Sequence, residues 1–436
     1  MKKNILLIFA IVLLLSITMV GCQQSNEDEG NNEENEVTTI KIFHRWTVEP
    51  AKSAVEEMIA DFEKENPDIK VEATTATNDA YKEKIKTVIA SDNAPDIFFT
   101  WAGEYLNKFV REDLVLDITD QLKESGTYDT MVKGQMDAFS YNGRQYGVPI
   151  KVDAKVFYYN KRIFADLGLT PPETYKEFIS LLEKIKASGI TPIYHGNVSP
   201  WAGAHYMTTL NQKMVPEDVR AVDYEPSTGV FDDPGYVRAL EIYDELHKYM
   251  NEDVTAYDWG YTYSGFLNGD CALYYDQFIT ISDFVKDAPD FLDNIGMFPF
   301  PAIEEGKGNQ NLITGAPDGY AVHANTEHPE EAMRFIEYTL SDEVVSKFVT
   351  ELHWVNAQTN VIENIEEVTT IVPLIEGMKY IQNAEGNVNW FDADVHAKIA
   401  QVYLVDLQKL DNKEITPEQI MIDVQEVATR LREELK

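Results

Sequence analysis

The chain has 436 residues, a formal net charge of −37 and an aromatic content of 11% that includes 23 Tyr. Such acidity argues against electrostatic binding of nucleic acid or anionic lipid headgroups, and against an anionic substrate unless a local basic pocket exists, of which the sequence shows none. A foldable length of about 400 residues implies two lobes or domains.

The first element is a leader. Lys2 and Lys3 form a positive n-region, and an apolar run, "ILLIFAIVLLL", continues to Val20. This is the layout of a secretory signal peptide. A membrane-spanning helix is the alternative, since about 17–25 apolar residues can cross a bilayer. The run from Ile5 to Val20 is slightly short for that and carries Ser16 and Thr18. It ends in Met19-Val20-Gly21-Cys22, which resembles the bacterial lipobox, where the cysteine becomes lipidated and N-terminal. Residues 1–21 are therefore expected to be a lipoprotein signal, with Cys22 fatty-acylated. The segment 22–37, with "QQSNEDEGNNEENEV", is too polar and acidic to bury a core and reads as a disordered tether. Cys271 is then the other cysteine of the chain's two. It lies in the apolar run "GDCALYYD" and reads as a small core residue, not a reactive thiol.

The folded part opens at Thr38 with the strand "TTIKIFHRW". A helix follows in which Val55, Met58, Ile59 and Phe62 share one face, and Asn66-Pro67 stops it. Ile69 and Val71 begin a second strand. Tyr81, Ile85, Val88 and Ile89 mark a second helix, and "IFFTW" a buried strand. This alternation indicates βαβ units and a mostly parallel sheet in an α/β protein. Further on, "TYKEFISLLEKIKASG" is a helix with Phe178, Leu181, Leu182 and Ile185 inward and Gly189 as its stop. "ITPIYHG" is a strand, Tyr236 to Tyr249 an amphipathic helix, and "CALYYD" a strand. "IGMFPFPA" leads into an extended stretch. "GYAVHANTEHPEEAMRFIEYTLSDE" reads as strand, cap and helix, and the tail from Ala397 is helical. No solenoid repeat is present.

Several of these segments together resemble a known family. "MIADFEKENPDIKVE", "APDIFFTW", "FLNGDCALYYD" and "SDEVVSKF" all match its pattern. The most specific segment is "YGVPIKVDAKVFYYNKRIFADLGLTPPETYKEF". The chain is similar to the family 1 extracellular solute-binding lipoproteins of bacterial ATP-driven importers, in their carbohydrate-binding group. Where many members carry Gly-Gly, this chain has "LITGAPDGYAV"; Asp318, Tyr320 and "NWFDADVH" still fit the carbohydrate group. The resemblance implies a two-lobe, type II periplasmic-binding-protein-like fold. Its ligand cleft lies between lobes joined by crossover strands, near Val148–Lys151, Thr314 and Thr350. The implied lobes are 38–149 plus 315–350, and 150–314 plus 351–436. Closure of the lobes on ligand is the hinge motion of such proteins.

A sugar site needs aromatic platforms for C–H faces and fixed carboxylates for paired hydroxyls. Trp46, Trp101, Trp201, Trp259, Trp354 and Trp390 are all expected at strand ends or in loops, and none lies on an apolar helical stripe. Trp46 and Trp101 follow strands, where α/β proteins place ligands. Asp96 is expected to be a turn or cap carboxylate. Asp153, Asp276, Asp318 and Asp392 are expected near the cleft, with Lys151 pairing one of them, and Tyr275 and Tyr320 are candidate platforms. The candidate ligand-binding set is thus Trp46, Trp101, Asp153, Trp201, Trp259, Tyr275, Asp276, Asp318, Tyr320, Trp354, Trp390 and Asp392.

No Gly-x-Ser-x-Gly elbow, Walker loop, Gly-x-Gly-x-x-Gly or His-Glu-x-x-His occurs. Asp392, Asp394 and His396 in "DADVHAK" are spaced for helix capping more than for a metal. No catalytic residue, metal or cofactor is expected. The expected partners are a carbohydrate, with an oligosaccharide favoured, and the permease subunits of an ABC transporter, the receptor itself acting as a monomer. The expected place is the outer face of the cytoplasmic membrane in a Gram-positive-type host, held there only through the lipid, with no nucleic acid involved. The alternatives are a surface glycoside-active enzyme and a receptor for a metal, amine or peptide.

Overall fold

A computed structural model describes residues 37–436. The signal segment, Cys22 and nearly all of the tether lie outside them. In chain order the strands are β1 (Thr38–His44), β2 (Ile69–Thr75), β3 (Ile97–Trp101), β4 (Ser140–Tyr141), β5 (Arg144–Gln145), β6 (Val148–Lys151) and β7 (Lys155–Asn160). They continue with β8 (Thr191–Tyr194), β9 (Cys271–Gln277), β10 (Ile295–Phe298), β11 (Ile313–Thr314), β12 (Asp318–Val322) and β13 (Asn387–Val388).

The first sheet has the order β2-β1-β3-β12-β6 and the second β10-β7-β9-β8. The βαβαβ unit from Thr38 to Trp101 is parallel, as its alternation requires. The sheets as wholes are mixed, which corrects the expectation of mostly parallel pairing. β12 pairs antiparallel with both β3 and β6, and β7 pairs antiparallel with β9 and β10. The reason is topological: β12 belongs to the first sheet but follows a long excursion through the second, and it re-enters from the opposite end.

The helix Ala51–Glu65 buries Ala54, Val55, Met58, Ile59 and Phe62 on one face. The helix Tyr175–Ala187 buries Phe178, Leu181, Leu182 and Ile185, and Thr174 with Glu177 closes its start as a capping box. Gly189 follows in the left-handed region at φ 88°. The helix Trp201–Met214 was not expected. From Gly203 onward all its residues are buried, polar ones included, so it carries no solvent face for a periodic pattern to reveal. Cys271 is fully buried, and burial raises its thiol well above the usual range.

Two buried hydrophobic clusters form the core. One gathers around the first sheet and extends to Tyr158, Phe266 and Tyr274; the other lies between the second sheet and the helices Trp201–Met214, Pro234–Leu246, Ala397–Asp411 and Pro417–Glu434. β6 pairs in the first sheet as far as Lys151. The segment after the helix Asp342–Leu352 stays beside β6: the N–H of Val152 donates to the Val355 carbonyl at 2.8 Å, and Asn356 Nδ2 to the Ile150 carbonyl at 3.0 Å.

Candidate functional site

β1 and β3 end side by side, and their C-terminal ends carry Arg45-Trp46 and Trp101. β12 starts at the same level, where Asp318 is paired with Trp101 on one side and Lys151 on the other. These residues wall a cavity of about 350 Å³ together with Asp153, Gln277, Asp283, Trp354 and Trp390. It takes residues from the ends of both sheets.

The aromatic wall is a packed group. Trp46 lies edge-on to Phe99 and Tyr320, with ring centroids 5.3 and 5.7 Å away, and tilts against Trp354 at 5.5 Å. Trp46, Trp354 and Trp390 are nearly buried, at 6, 5 and 6% exposure, while Trp101 is half-buried. Trp101 is held edge-on by Phe99 at 4.7 Å and Tyr105 at 4.8 Å, with the Arg45 guanidinium and the Lys82 ammonium 5.5 and 5.1 Å from its ring centroid. Trp390 stacks on His205 at 4.1 Å.

The polar wall is ordered by charge. Arg45 Nη2 and Lys151 Nζ both reach Asp318 Oδ2, at 2.6 and 3.0 Å. Burial alone raises the Asp318 carboxyl, but these two cations win and hold it below the usual carboxylate range. Asp153 is the opposite case. Burial raises it to about 6, and Lys151 opposes that only in part. Its Oδ2 accepts from Gln277 Nε2 at 2.9 Å. Asp283 is likewise raised to about 6, by burial and then by Asp287.

The expected residues fall into three places. Trp46, Trp101, Asp153, Asp318, Trp354 and Trp390 line this cavity. Trp201, Trp259, Tyr275 and Asp276 line a narrower one of about 20 Å³ beside His195 and Lys155. Tyr320 lines neither; at 2% exposure it lies in the core, packed edge-on with Trp46 and closed to a ligand. Asp392 also lines neither. Its Oδ1 is buried without a partner, and burial raises its carboxyl while Lys82 opposes. Trp201 and Trp259 are corrected in local structure: each is the first residue of a helix, Trp201–Met214 and Trp259–Asn268, not a loop or strand end. Asp96 accepts from the Lys41 N–H and the Thr326 hydroxyl and ties strands together.

Asp276 is already engaged inside the protein. Lys155 Nζ lies 3.0 Å from its Oδ1, while Trp259 Nε1 and the Thr280 hydroxyl donate to its Oδ2 at 2.7 and 2.8 Å. Arg45, Gln277 and Asp283 were missed in the sequence. Of these only Arg45 had a signal, its place between a strand end and Trp46. The cluster also corrects the view that no basic groups gather at one site, since Arg45 and Lys151 converge here. In "DADVHAK", Asp394 Oδ1 accepts from Asn389 Nδ2 at 3.2 Å and His396 Nδ1 from the Lys398 N–H at 3.2 Å. Among the described residues no group of three or more His, Cys, Asp or Glu is placed to hold a metal ion, and no helix is long and apolar enough to cross a membrane.

Known proteins are similar to this chain in sequence and, where solved, in fold. The multiple sugar-binding protein of Streptococcus mutans is 24% identical over 361 residues, covering 78% of this chain and 79% of its own. The arabinooligosaccharide-binding protein of Bacillus subtilis is 22% identical over 80% of this chain and 78% of its own. A solved chain from work on xylan utilization by Caldanaerobius polysaccharolyticus is 28% identical with a TM-score of 0.75, covering 89% of this chain and 99% of that one. The fold is thus the two-lobe, type II periplasmic-binding-protein fold, with the cavity between the ends of the two sheets. The model of the bacterial extracellular solute-binding proteins matches residues 46–345, and the chain belongs to that family.

Proposed function

We propose that this protein is an extracellular receptor that captures an oligosaccharide and delivers it to the permease of an ABC importer, without catalysis. The observation that carries the reading is the composition of the main cavity, where Trp46, Trp101, Trp354 and Trp390 stand with Asp153, Asp318 and Gln277. Flat apolar faces beside fixed acceptors match the two kinds of surface on a sugar ring. The names of the relatives from S. mutans and B. subtilis support the ligand class. The lobes close around the ligand as hinged bodies, and the closed form is what the permease engages.

Intrinsic tryptophan fluorescence of the chain from Gln23, titrated with mono- to tetrasaccharides of xylose, arabinose and glucose, tests this. Saturable quenching by an oligosaccharide recovered intact is expected. Trp101→Ala should weaken that binding about tenfold, the loss of one stacked ring at about 1.4 kcal/mol. Cleavage of the sugar would make the protein an enzyme. No response to any sugar would turn the assignment to a metal, an amine or a peptide.

We also propose that the mature chain is a monomer tethered through Cys22, with residues 23–37 as the spacer. The intact mass of protein extracted from a Gram-positive host's membranes should show loss of residues 1–21 and fatty acyl groups on Cys22. A chain that keeps its leader, or a soluble one without lipid, would refute the anchor.

A further inference from the structure

A second chamber, of about 270 Å³, lies between the helix Glu104–Arg111 and the helix Glu217–Tyr224, closed on one side by β13. Its wall holds Arg220, a cation that makes no direct contact with the carboxylates of Glu104, Glu217, Glu225 and Asp394 around the same space. Arg220 is 6% exposed, and among the described residues its guanidinium makes no ion pair and no hydrogen bond. Its Nε is buried and unpaired, and so is Oδ1 of Asn387 on the opposite wall. Leaving a guanidinium desolvated without a hydrogen-bonding partner is costly, and leaving an amide oxygen so is costly too. Arg220 therefore supplies N–H donors, and Asn387 an acceptor, that no hydrogen bond among the described residues takes up.

The chamber is continuous in sequence with the tryptophan cavity. Trp101 lines that cavity and Glu104 this chamber; Trp390 lines the one and Asn389 the other. The two spaces lie on either side of a single seam, where Gly103 meets Asp394 and Asn389. A Cβ at Gly103 would stand 2.3 Å from Asp394 Oδ1, and φ there is +76°. The seam runs from the residue pair after β3 to the segment 389–394, whose neighbours line both spaces. The tryptophan cavity alone is near the lower end of the about 300–1,000 Å³ usual for small-molecule sites.

We propose that the chamber beside Arg220 is a polar subsite of this same cleft, which binds the hydroxyl groups of the terminal ring of an oligosaccharide whose other rings lie on the tryptophans. This rests on the saccharide reading above. Hydroxyls both donate and accept, which suits a wall that pairs the five N–H groups of an arginine with amide and carboxylate oxygens. An anion does not suit it, because Glu217 and Glu225 also face the chamber.

The test is calorimetric titration of the detergent-solubilised full chain with xylose, xylobiose, xylotriose and xylotetraose, in wild type and in Arg220→Gln. The expected result is an affinity for the tri- and tetrasaccharide about tenfold weaker in the variant, with the mono- and disaccharide unchanged. Equal weakening at every length, or none, overturns the subsite and leaves the receptor reading standing. Failure of wild type to bind any saccharide, in this series or with arabinose and glucose oligomers, overturns that reading and the subsite with it. Asn107→Ala, on the opposite helix and partly exposed, guards against misfolding at Arg220. It should show the same dependence on length, and binding that is unchanged at all lengths in this variant overturns the subsite as well.

Discussion

Asp276→Ala is expected to destabilise the protein by about 3–5 kcal/mol at pH 7, because it strands a buried charge. Asp276 and Lys155 have side chains only 3% exposed, and the ammonium lies 3.0 Å from the carboxylate. The remaining neighbours of Lys155 Nζ are weaker: the Tyr275 carbonyl at 3.4 Å and the Tyr275 ring at 5.5 Å. Burial alone would raise the Asp276 carboxyl, yet Lys155 and the donors of Trp259 and Thr280 leave it below the usual range. A depressed folded value gives stability that is present above the unfolded pKa of about 4 and is lost as pH falls through the folded value. Urea unfolding of Asp276→Ala, followed by tryptophan fluorescence, measures the loss. Asp276→Leu combined with Lys155→Met should lose much less than Asp276→Ala, since it removes the ion together with its counterion. A loss below about 1 kcal/mol in the single variant would show that water reaches Lys155 and that the pair is not a buried one.

The same carboxylate explains why parts of the site were legible in the sequence and others were not. Asp276 ends an apolar strand, which local pattern shows. Its bond to Trp259 Nε1 spans 17 positions and that to Lys155 spans 121, and no local pattern reports either. Arg45 is the sharper case, because its partner Asp318 is 273 positions away. The parallel unit from Thr38 to Trp101 was readable since each helix keeps one wet face and each strand is bounded by turns. The helix Trp201–Met214 was not. Thr209 bonds the Tyr275 hydroxyl at 2.6 Å, and Gln212 the Asn309 carbonyl at 2.9 Å, so polar residues sit inward there. A pattern that equates polar with exposed fails on such a helix. Tyr320 shows the converse limit. It is two positions from Asp318 on a strand buried on both faces, so alternation could not say that Trp46 would pack against it.

Asp153 carries the last expectation, and its sign is opposite to that of Asp276. Its carboxyl is 4% exposed, accepts from the Ala154 N–H at 3.0 Å and from Gln277 at 2.9 Å, and is raised to about 6 by burial. Lys151 and Lys155 pull it down, and Asp318 and Asp276 push it up. A raised folded value gives stability that is full below the unfolded pKa of about 3.9 and is lost as pH rises through about 6. Asp153→Asn should therefore be more stable than wild type at pH 7–8, by about 1–3 kcal/mol. The difference should shrink toward zero as pH falls to about 4. Asparagine keeps the acceptor for the Ala154 N–H, and Gln277 can turn its oxygen toward the new amide. Denaturant unfolding of both proteins across this range decides the matter, and a difference that does not change with pH would refute it. A charge that weakens the fold at neutral pH fits the trade-off between stability and function common at binding sites. Here it faces the tryptophan cavity as a desolvated acceptor, set before any ligand arrives and only partly offset by the ammonium groups of Lys151 and Lys155. On the saccharide reading, Asp153→Asn should then gain stability and lose affinity together, because one carboxylate oxygen that can accept a sugar hydroxyl is replaced by a donor.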